Sequence, residues 1–269
     1  MGEKRSDAAS SLRKHLAAVG INTWKDVNQA SLYDLADEVK ETMAGGSPHT
    51  FFTNVKTLLR RYSDQVKLPE GWEGILSAKN ERPVRTFLTA RELAAFEAVP
   101  AKRPRERIVQ VESLIEAYTG ARISDVMRLT AANYTENDYL SYTSKKTKVG
   151  ACIPISEKTK GWIEYAQAHR DDEPTLMSRN RIIRRLAQRA GIKSKVKVVK
   201  GGQELEGEKW QFLSSHSFRI SAATNMSLAG ASLLEIKAVL GHTNTAMTER
   251  YVVAAKPQLS QSVMAYFLK

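Results

Sequence analysis

The stretch Leu240-Gly241-His242-Thr243-Asn244-Thr245-Ala246-Met247-Thr248-Glu249-Arg250-Tyr251 carries a histidine near the start of a short polar segment and a tyrosine at its end. Upstream lie His216-Ser217-Phe218-Arg219 and, much earlier in the chain, Gly120-Ala121-Arg122-Ile123-Ser124-Asp125. One arginine in each upstream segment, two histidines and the final tyrosine suit a single task. They can bind a phosphodiester and attack it with a phenol.

The two upstream arginines are candidates for binding the phosphate. A guanidinium bonds two oxygens at once and keeps its charge at every physiological pH. Asp125 follows Arg122 by three residues, a spacing that predicts a brace across one helical turn. His216 precedes Arg219 by the same spacing, which predicts a shared helical face.

Each of these residues also has a plainer interpretation when it is taken alone. A single arginine is more often part of a surface ion pair, and a histidine such as His216 more often a hydrogen-bonded structural residue. His242 follows Gly241, which permits a helix end, so it could simply cap that helix. The chain has nine tyrosines, so Tyr251 stands out only by its context.

Composition favours a polyanionic partner. The 269 residues carry 41 Lys and Arg against 29 Asp and Glu, a net charge of +12. An apolar fraction of 42% is enough for a folded core. The single cysteine, Cys152, excludes a disulfide framework, and a charged N-terminus without an apolar run argues against a signal peptide. We therefore expect a cytoplasmic protein without membrane contact, associated with the nucleoid when it is bound to DNA.

The first part of the chain predicts a small helical domain. Apolar residues at helical spacing indicate helices over 8–19, over 28–43 and from Ser47 onward. Residues 77–85 are polar and basic and read as a linker, so we place the domain boundary near residue 82, with domains at 1–82 and 83–269. The third helix has a basic face that either contacts DNA phosphates or is only solvated; its residues are Lys56, Arg60 and Arg61.

The second part predicts a larger, mainly helical domain with a small β-sheet. A buried helix is indicated over 108–118, and two short strands over 139–143 and 150–155, with a lysine-rich turn between them. Residues 193–209 indicate a basic hairpin or a mobile loop. Further helices are predicted at 157–168, 178–190, 217–229, 232–240 and 244–254.

The three motifs in combination resemble the tyrosine recombinase/integrase family, which includes phage integrases, Cre-like enzymes and Xer-type resolvases. The resemblance implies an N-terminal helical domain that binds the core site and an α+β catalytic domain. It also implies that Tyr251 attacks a scissile phosphate to give a 3′-phosphotyrosyl bond and a free 5′-hydroxyl. The residues that would surround this phosphate are Arg122, His216, Arg219 and His242.

The family also uses a lysine in a β-hairpin turn as general acid. Here the turn offers Lys145, Lys146 and Lys148. We prefer Lys146, because Lys-Thr leads into the second strand at the spacing that phage integrases show before Ile-Pro. We expect Lys145 and Lys148 to contact DNA, and the plain alternative for all three is a basic turn. Ile220 departs from the histidine that many relatives have after the second arginine, and this should not change the chemistry.

No cofactor or metal is expected. The sequence has no Walker-type glycine-rich loop and no carboxylate cluster that reads as a two-metal site. The resemblance implies double-stranded recombination sites as partners and a homotetramer on two DNA duplexes, and it leaves the need for accessory DNA-bending proteins open. It also implies that the apolar C-terminal segment, within 252–269, docks on the neighbouring protomer.

Two other functions remain open at this point. The first is a DNA-binding or architectural protein of the same fold that is catalytically silent, although none of the six candidate residues is missing. The second is a type IB topoisomerase or telomere resolvase, which shares the chemistry without requiring paired specific sites.

Overall fold

The computed structural model describes residues 7–44, 47–79, 86–200 and 203–252, without the side chains of residues 7, 8, 200 and 250–252. The chain divides into two compact units, 1–84 with 197–205, and 85–196 with 206–269. The predicted domain boundary near residue 82 falls in 80–85, outside the described residues. It therefore remains a prediction.

The N-terminal part of the first unit, over the described residues of 7–79, is helical, as the apolar spacing predicts. Asn28 caps its second helix by accepting a hydrogen bond from the Ser31 backbone N–H. A further short helix follows the turn residues 68–71, and Leu76 is fully buried in the same core. The helices are α1 (Asp7–Ala18), α2 (Gln29–Thr42), α3 (Ser47–Arg61) and α4 (Trp72–Ile75).

The second unit is built around one long buried helix, α6 (Pro104–Thr119). Proline at its first position suits the missing N–H there, and Gly120 ends the helix in the left-handed region with φ 68°. Its side chains are buried on nearly every face, as expected of a helix that other elements surround.

The elements around α6 carry the candidate site. Helix α5 (Ala90–Ala98) begins with the predicted capping box, in which Thr89 and Glu92 each accept from the other's backbone N–H. The other elements of this unit are α7 (Ile123–Val126), β1 (Tyr139–Thr143), β2 (Gly150–Pro154), α8 (Glu157–Ala168), α9 (Leu176–Arg189), α10 (Ser215–Leu228), α11 (Leu233–Leu240) and α12 (Thr245–Val252). Two further strands, β3 (Lys195–Lys200) and β4 (Gln203–Glu208), lie mostly in residues 197–205, which group with the first unit.

The strands form two small sheets in the part of the chain that the structure describes. Strands β1 and β2 pair antiparallel, from Tyr139 opposite Pro154 to Thr143 opposite Gly150. Strands β3 and β4 form the other sheet, so the basic segment at 193–209 contains a hairpin rather than a loop. The predicted class, mainly helical with a small β component, is confirmed. Within the described ranges, no helix is long and apolar enough to cross a membrane.

Candidate active site

Arg219 lies at the centre of the candidate site. Its side chain is on α10 and is almost completely buried. Its guanidinium donates hydrogen bonds to the carbonyl of Gly120 and, at 2.7 Å, to the carbonyl of Leu240. Both carbonyls lie at helix C-termini, of α6 and α11, where carbonyls lack intrahelical partners and carry partial negative charge. Two helix ends therefore hold the charge of this arginine in a buried position.

His242 is fixed on both ring nitrogens. Its Nε2 lies 3.0 Å from Arg219 Nη2, and its Nδ1 lies 3.1 Å from Thr248 Oγ1. A guanidinium can only donate, so Nε2 accepts and the ring proton sits on Nδ1, where it is donated to Thr248. Burial, followed by the positive charges of Arg219 and Arg122, lowers the pKa of His242 to about 4. The imidazole is therefore neutral at physiological pH.

Arg122 is held through a serine. Its Nη1 donates to Ser144 Oγ at 3.0 Å, and Ser144 Oγ donates to Asp125 Oδ2 at 3.0 Å. The predicted direct brace between Arg122 and Asp125 is thus replaced by a relay, because the buried carboxylate of Asp125 faces the end of β1. The other carboxylate oxygen accepts from the Lys145 backbone N–H at 2.8 Å.

The lysine-rich turn between β1 and β2 is anchored on both sides of Lys146. Asp125 holds the backbone of Lys145, and Thr147 Oγ1 donates to the Gly241 carbonyl at 3.3 Å. The Lys146 side chain is exposed, as are those of Lys145 and Lys148. The two anchors connect this turn to the segments that carry Arg122 and His242.

His216 and Tyr251 complete the predicted set. His216 is half-buried in the first turn of α10, one turn before Arg219, and lies within electrostatic range of His242. Tyr251 lies on α12, three residues after the Thr248 that bonds His242. The side chain of Tyr251 is outside the described part of the structure. The structure therefore brings Arg122, His216, Arg219 and His242 together, and it locates Tyr251 by its backbone.

The phage integrase family matches residues 87–257, which include all six predicted catalytic residues. The chain belongs to this family. It is 25% identical to tyrosine recombinase XerA of Pyrococcus furiosus over 208 residues, 76% of this chain and 70% of the relative. It is 26% identical to tyrosine recombinase XerD of Chlorobaculum tepidum over 187 residues, 66% of this chain but only 60% of the relative.

The fold agrees with this membership. The Tn1549 transposon integrase, solved in complex with transposon right end DNA, superposes with a TM-score of 0.65 at 13% identity. The match covers 97% of this chain and 95% of that one, so the predicted catalytic fold of the tyrosine recombinases is confirmed.

Three residues of this integrase-family site were not found by sequence reasoning. Ser144 and Thr248 hold Arg122 and His242, and Tyr142 on β1 is close enough to Arg219 for its charge to act on the phenol. Burial raises the pKa of Tyr142 to about 12, so the phenol stays protonated. Ser144 is 22 residues from Arg122, and no local spacing indicates that contact.

The predicted DNA-binding residues of the first unit lie on α3. Arg60 forms a two-pronged ion pair with Glu73, with Nε–Oε1 at 2.9 Å and Nη2–Oε2 at 2.7 Å. Arg61 is exposed, with its guanidinium 5.8 Å from the centre of the Tyr62 ring, and Lys56 is half-buried. A phosphate would have to compete with Glu73 for Arg60, so Arg61 is the more available of the two arginines.

Proposed function

We propose that the protein is a site-specific DNA recombinase that cuts and rejoins DNA through a 3′-phosphotyrosyl intermediate. The observation that carries the proposal is the arginine pair. Arg122 and Arg219 are held near a neutral His242 by separate buried networks, in a chain of the phage integrase family. A pair of fixed positive charges is what a phosphodiester needs as negative charge increases on its oxygens.

In this proposal Arg122 and Arg219 bind the non-bridging oxygens of the scissile phosphate. Their charge is present before the substrate arrives, so little reorganisation is needed during the reaction. His242 contributes by holding Arg219, because its Nε2 accepts from the guanidinium and its Nδ1–H is committed to Thr248.

The nucleophile is the Tyr251 hydroxyl. A phenol has an ordinary pKa near 10, so it needs a base, and His216 is our candidate. The phenol proton passes to His216 as the bond from Tyr251 to phosphorus forms. The bond from phosphorus to the 5′-oxygen breaks, and Lys146 protonates that leaving oxygen.

Rejoining reverses these steps with a 5′-hydroxyl from the partner strand as nucleophile. One phosphodiester is exchanged for a phosphotyrosyl ester and then for another phosphodiester. The bond energy is retained in the ester, so the exchange needs no ATP.

The partners in this proposal are double-stranded recombination sites, two of them bound by a homotetramer; whether accessory DNA-bending proteins are needed is a separate question that the proposal leaves open. The net charge of +12 favours binding to DNA in the nucleoid. Lys145 and Lys148 would contact DNA from the β1–β2 turn, and Lys56, Arg60 and Arg61 from α3. The exchange of a C-terminal helix between protomers concerns 253–269, which are outside the described residues.

The test is the formation of a covalent complex with DNA. The protein is incubated with supercoiled plasmid from its native element in EDTA without ATP, quenched with detergent, and compared with Tyr251→Phe. We expect an adduct only with the wild-type protein, with a Tyr251 peptide on the 3′ end and a 5′-hydroxyl that polynucleotide kinase labels directly. An adduct with Tyr251→Phe would show that another residue is the nucleophile. Tight footprinting of that DNA without any adduct would instead favour a catalytically silent DNA-binding protein.

A further inference from the structure

Helix α12, which carries Tyr251, is only eight residues long. Helices of this length are marginally stable by themselves, so contacts with the rest of the protein must hold this one in place. Asn244 caps its first turn by accepting a hydrogen bond from the Met247 backbone N–H at 3.0 Å. Among the side chains of α12 that the structure describes, at 245–249, Thr248 alone is buried, and its exposed fraction is zero. A polar side chain therefore occupies the point at which this helix meets the fold.

The buried hydroxyl of Thr248 contacts the buried imidazole of His242. Thr248 Oγ1 lies 3.1 Å from His242 Nδ1, and His242 Nε2 lies 3.0 Å from Arg219 Nη2. Since the guanidinium can only donate, the ring proton is on Nδ1 and Thr248 accepts it. A chain of hydrogen bonds with a fixed direction therefore connects Arg219 through His242 to α12.

The arginine end of this chain is itself held by two other helices. The Arg219 guanidinium donates to the carbonyls of Gly120 and Leu240, at the C-termini of α6 and α11. The helix that carries the nucleophile is thus connected through side chains to the same group that is proposed to bind the phosphate. Thr248 precedes Tyr251 by three residues, so the contact lies about one helical turn from the backbone position of Tyr251.

The contact needs an oxygen and not only a side chain of the right size. A buried N–H that loses its acceptor bears the full cost of its desolvation. A valine at position 248 would fill nearly the same volume as threonine but would leave His242 Nδ1–H without this acceptor. A serine would keep the acceptor and lose one methyl group.

We propose that Thr248 is a positioning residue, which docks α12 on His242 and thereby sets the distance of Tyr251 from the scissile phosphate. This inference rests on the proposed function, in which Arg219 binds that phosphate and Tyr251 attacks it. Thr248 acts through the position of the nucleophile and does not itself contact DNA.

The experiment compares Thr248→Val with Thr248→Ser, and Thr159→Val is the matched control. Thr159 is also a buried threonine whose hydroxyl makes a side-chain hydrogen bond, to Ser156 Oγ at 3.1 Å. It lies on α8, a helix that carries none of the six predicted catalytic residues. The control therefore removes a comparable hydroxyl from another part of the same unit.

Four properties are measured for each variant of the whole chain. Two need no activity: the NMR resonance of His242 Nδ1–H in ¹⁵N-labelled protein, and amide hydrogen exchange in residues 249–252. The other two are the single-turnover rate of adduct formation at saturating concentrations of plasmid from the native element, and the dissociation constant for that DNA.

We expect Thr248→Val to change the spectroscopic and exchange properties of the contact. The Nδ1–H resonance should lose its hydrogen-bonded shift or disappear through exchange with water. Amide exchange in 249–252 should become about 5- to 150-fold faster, the factor that corresponds to an unpaired buried donor. Thr248→Ser and Thr159→Val should keep the wild-type resonance and wild-type exchange in α12.

The rates should separate positioning from binding. Thr248→Val should lower the adduct rate by roughly 10²-fold, the scale of a 1 Å misplacement, whereas Thr248→Ser and Thr159→Val should stay within about threefold of the wild type. The dissociation constant should change little in all three variants, because many phosphate contacts contribute to DNA affinity. In a His242→Ala background, Thr248→Val should cost little more, since both changes remove the same contact.

Four results would overturn the inference. An unchanged Nδ1–H resonance and unchanged exchange in Thr248→Val would show that the contact does not dock α12. A wild-type adduct rate in that variant, despite faster exchange, would show that docking does not position Tyr251. If Thr248→Ser were as slow as Thr248→Val, the hydroxyl would not be decisive, and an equal loss in Thr159→Val would indicate a general loosening of the unit. The resonance and the exchange rates decide the docking contact even if the wild-type protein forms no adduct, a result that would count against the proposed function instead.

Discussion

Replacing Gly120 with alanine tests whether the two carbonyls that hold Arg219 control DNA cleavage. Gly120 adopts φ 68°, and a Cβ there would lie 2.8 Å from Leu240 Cδ2. Both residues of this clash supply a carbonyl to Arg219. An added methyl group should therefore push apart the two groups that position the guanidinium.

The loss of folding stability in Gly120→Ala has two contributions. The left-handed conformation costs an alanine about 1–2 kcal/mol. Overpacking against Leu240 adds about 1–3 kcal/mol, because the neighbouring atoms belong to a buried side chain at the end of α11. We expect the free energy of unfolding to fall by roughly 2–5 kcal/mol in total.

The assay is urea unfolding in parallel with single-turnover adduct formation at saturating DNA. Gly191→Ala is the matched control, since Gly191 has φ 71° and nothing lies within 4 Å of the added Cβ. It carries the conformational cost without the clash. Gly120→Ala should lose more stability than this control, and its adduct rate should fall by about 10²-fold, the scale for misplacing a catalytic group.

The reasoning would be refuted if the two alanine variants lost the same stability. It would fail in a second way if Gly120→Ala were strongly destabilised but formed adduct at the wild-type rate in conditions where it is folded. That result would mean that Arg219 keeps its position without these two carbonyls.

Four further outcomes are expected. Lys146→Ala should stall cleavage of normal DNA but cleave a 5′-phosphorothiolate substrate, whose sulfur leaves without an acid; rescue of only a neighbouring lysine variant would identify a different acid. Arg219→Lys should lower the adduct rate by about 10²–10³-fold, because an ammonium group cannot bridge two carbonyls and a phosphate as the planar guanidinium does. Near-normal cleavage by this variant would contradict the role assigned to Arg219. Ser144→Ala should cost about 1–3 kcal/mol in unfolding experiments by removing the hydrogen bond to the buried Asp125 Oδ2, together with slower cleavage; unchanged cleavage would show that the relay is dispensable. The pKa of His242 is about 4 in the folded protein and an ordinary 6.5 in the unfolded chain, so protonation between these pH values favours unfolding. The free energy of unfolding of the wild type should therefore fall by about 3 kcal/mol relative to that of His242→Asn as the pH drops from 6.5 to 4. Parallel stability curves for the two proteins would show that the imidazole titrates normally.

Local chemistry explains which features were predictable. The capping box at Thr89 and the proline at the start of α6 act within one helical turn, and the structure has both. The strands at 139–143 and 150–154 follow from short-range patterns as well. The burial of Leu76 depends instead on the packing of α4 in a core formed by distant residues, so no local pattern indicates it.

The contacts within the site also divide into those that local spacing predicts and those that depend on tertiary packing. Helical spacing correctly placed His216 one turn before Arg219, but the same rule was wrong for the brace on Arg122. The hairpin end approaches Asp125, so Ser144 occupies the space between the two side chains. A three-residue spacing allows a contact, whereas the elements packed nearby decide whether it forms.

The sequence by itself determined the helical class of this protein, the three motifs and its family, because these depend on residue type and on spacing along the chain. Only the tertiary structure decided which groups hold those motifs. The carbonyls of Gly120 and Leu240 and the hydroxyl of Ser144 reach the arginine side chains through packing of α6, α10, α11 and the β1–β2 hairpin. Their hydrogen bonds gain strength from burial, and burial is a property of the assembled fold rather than of any one segment.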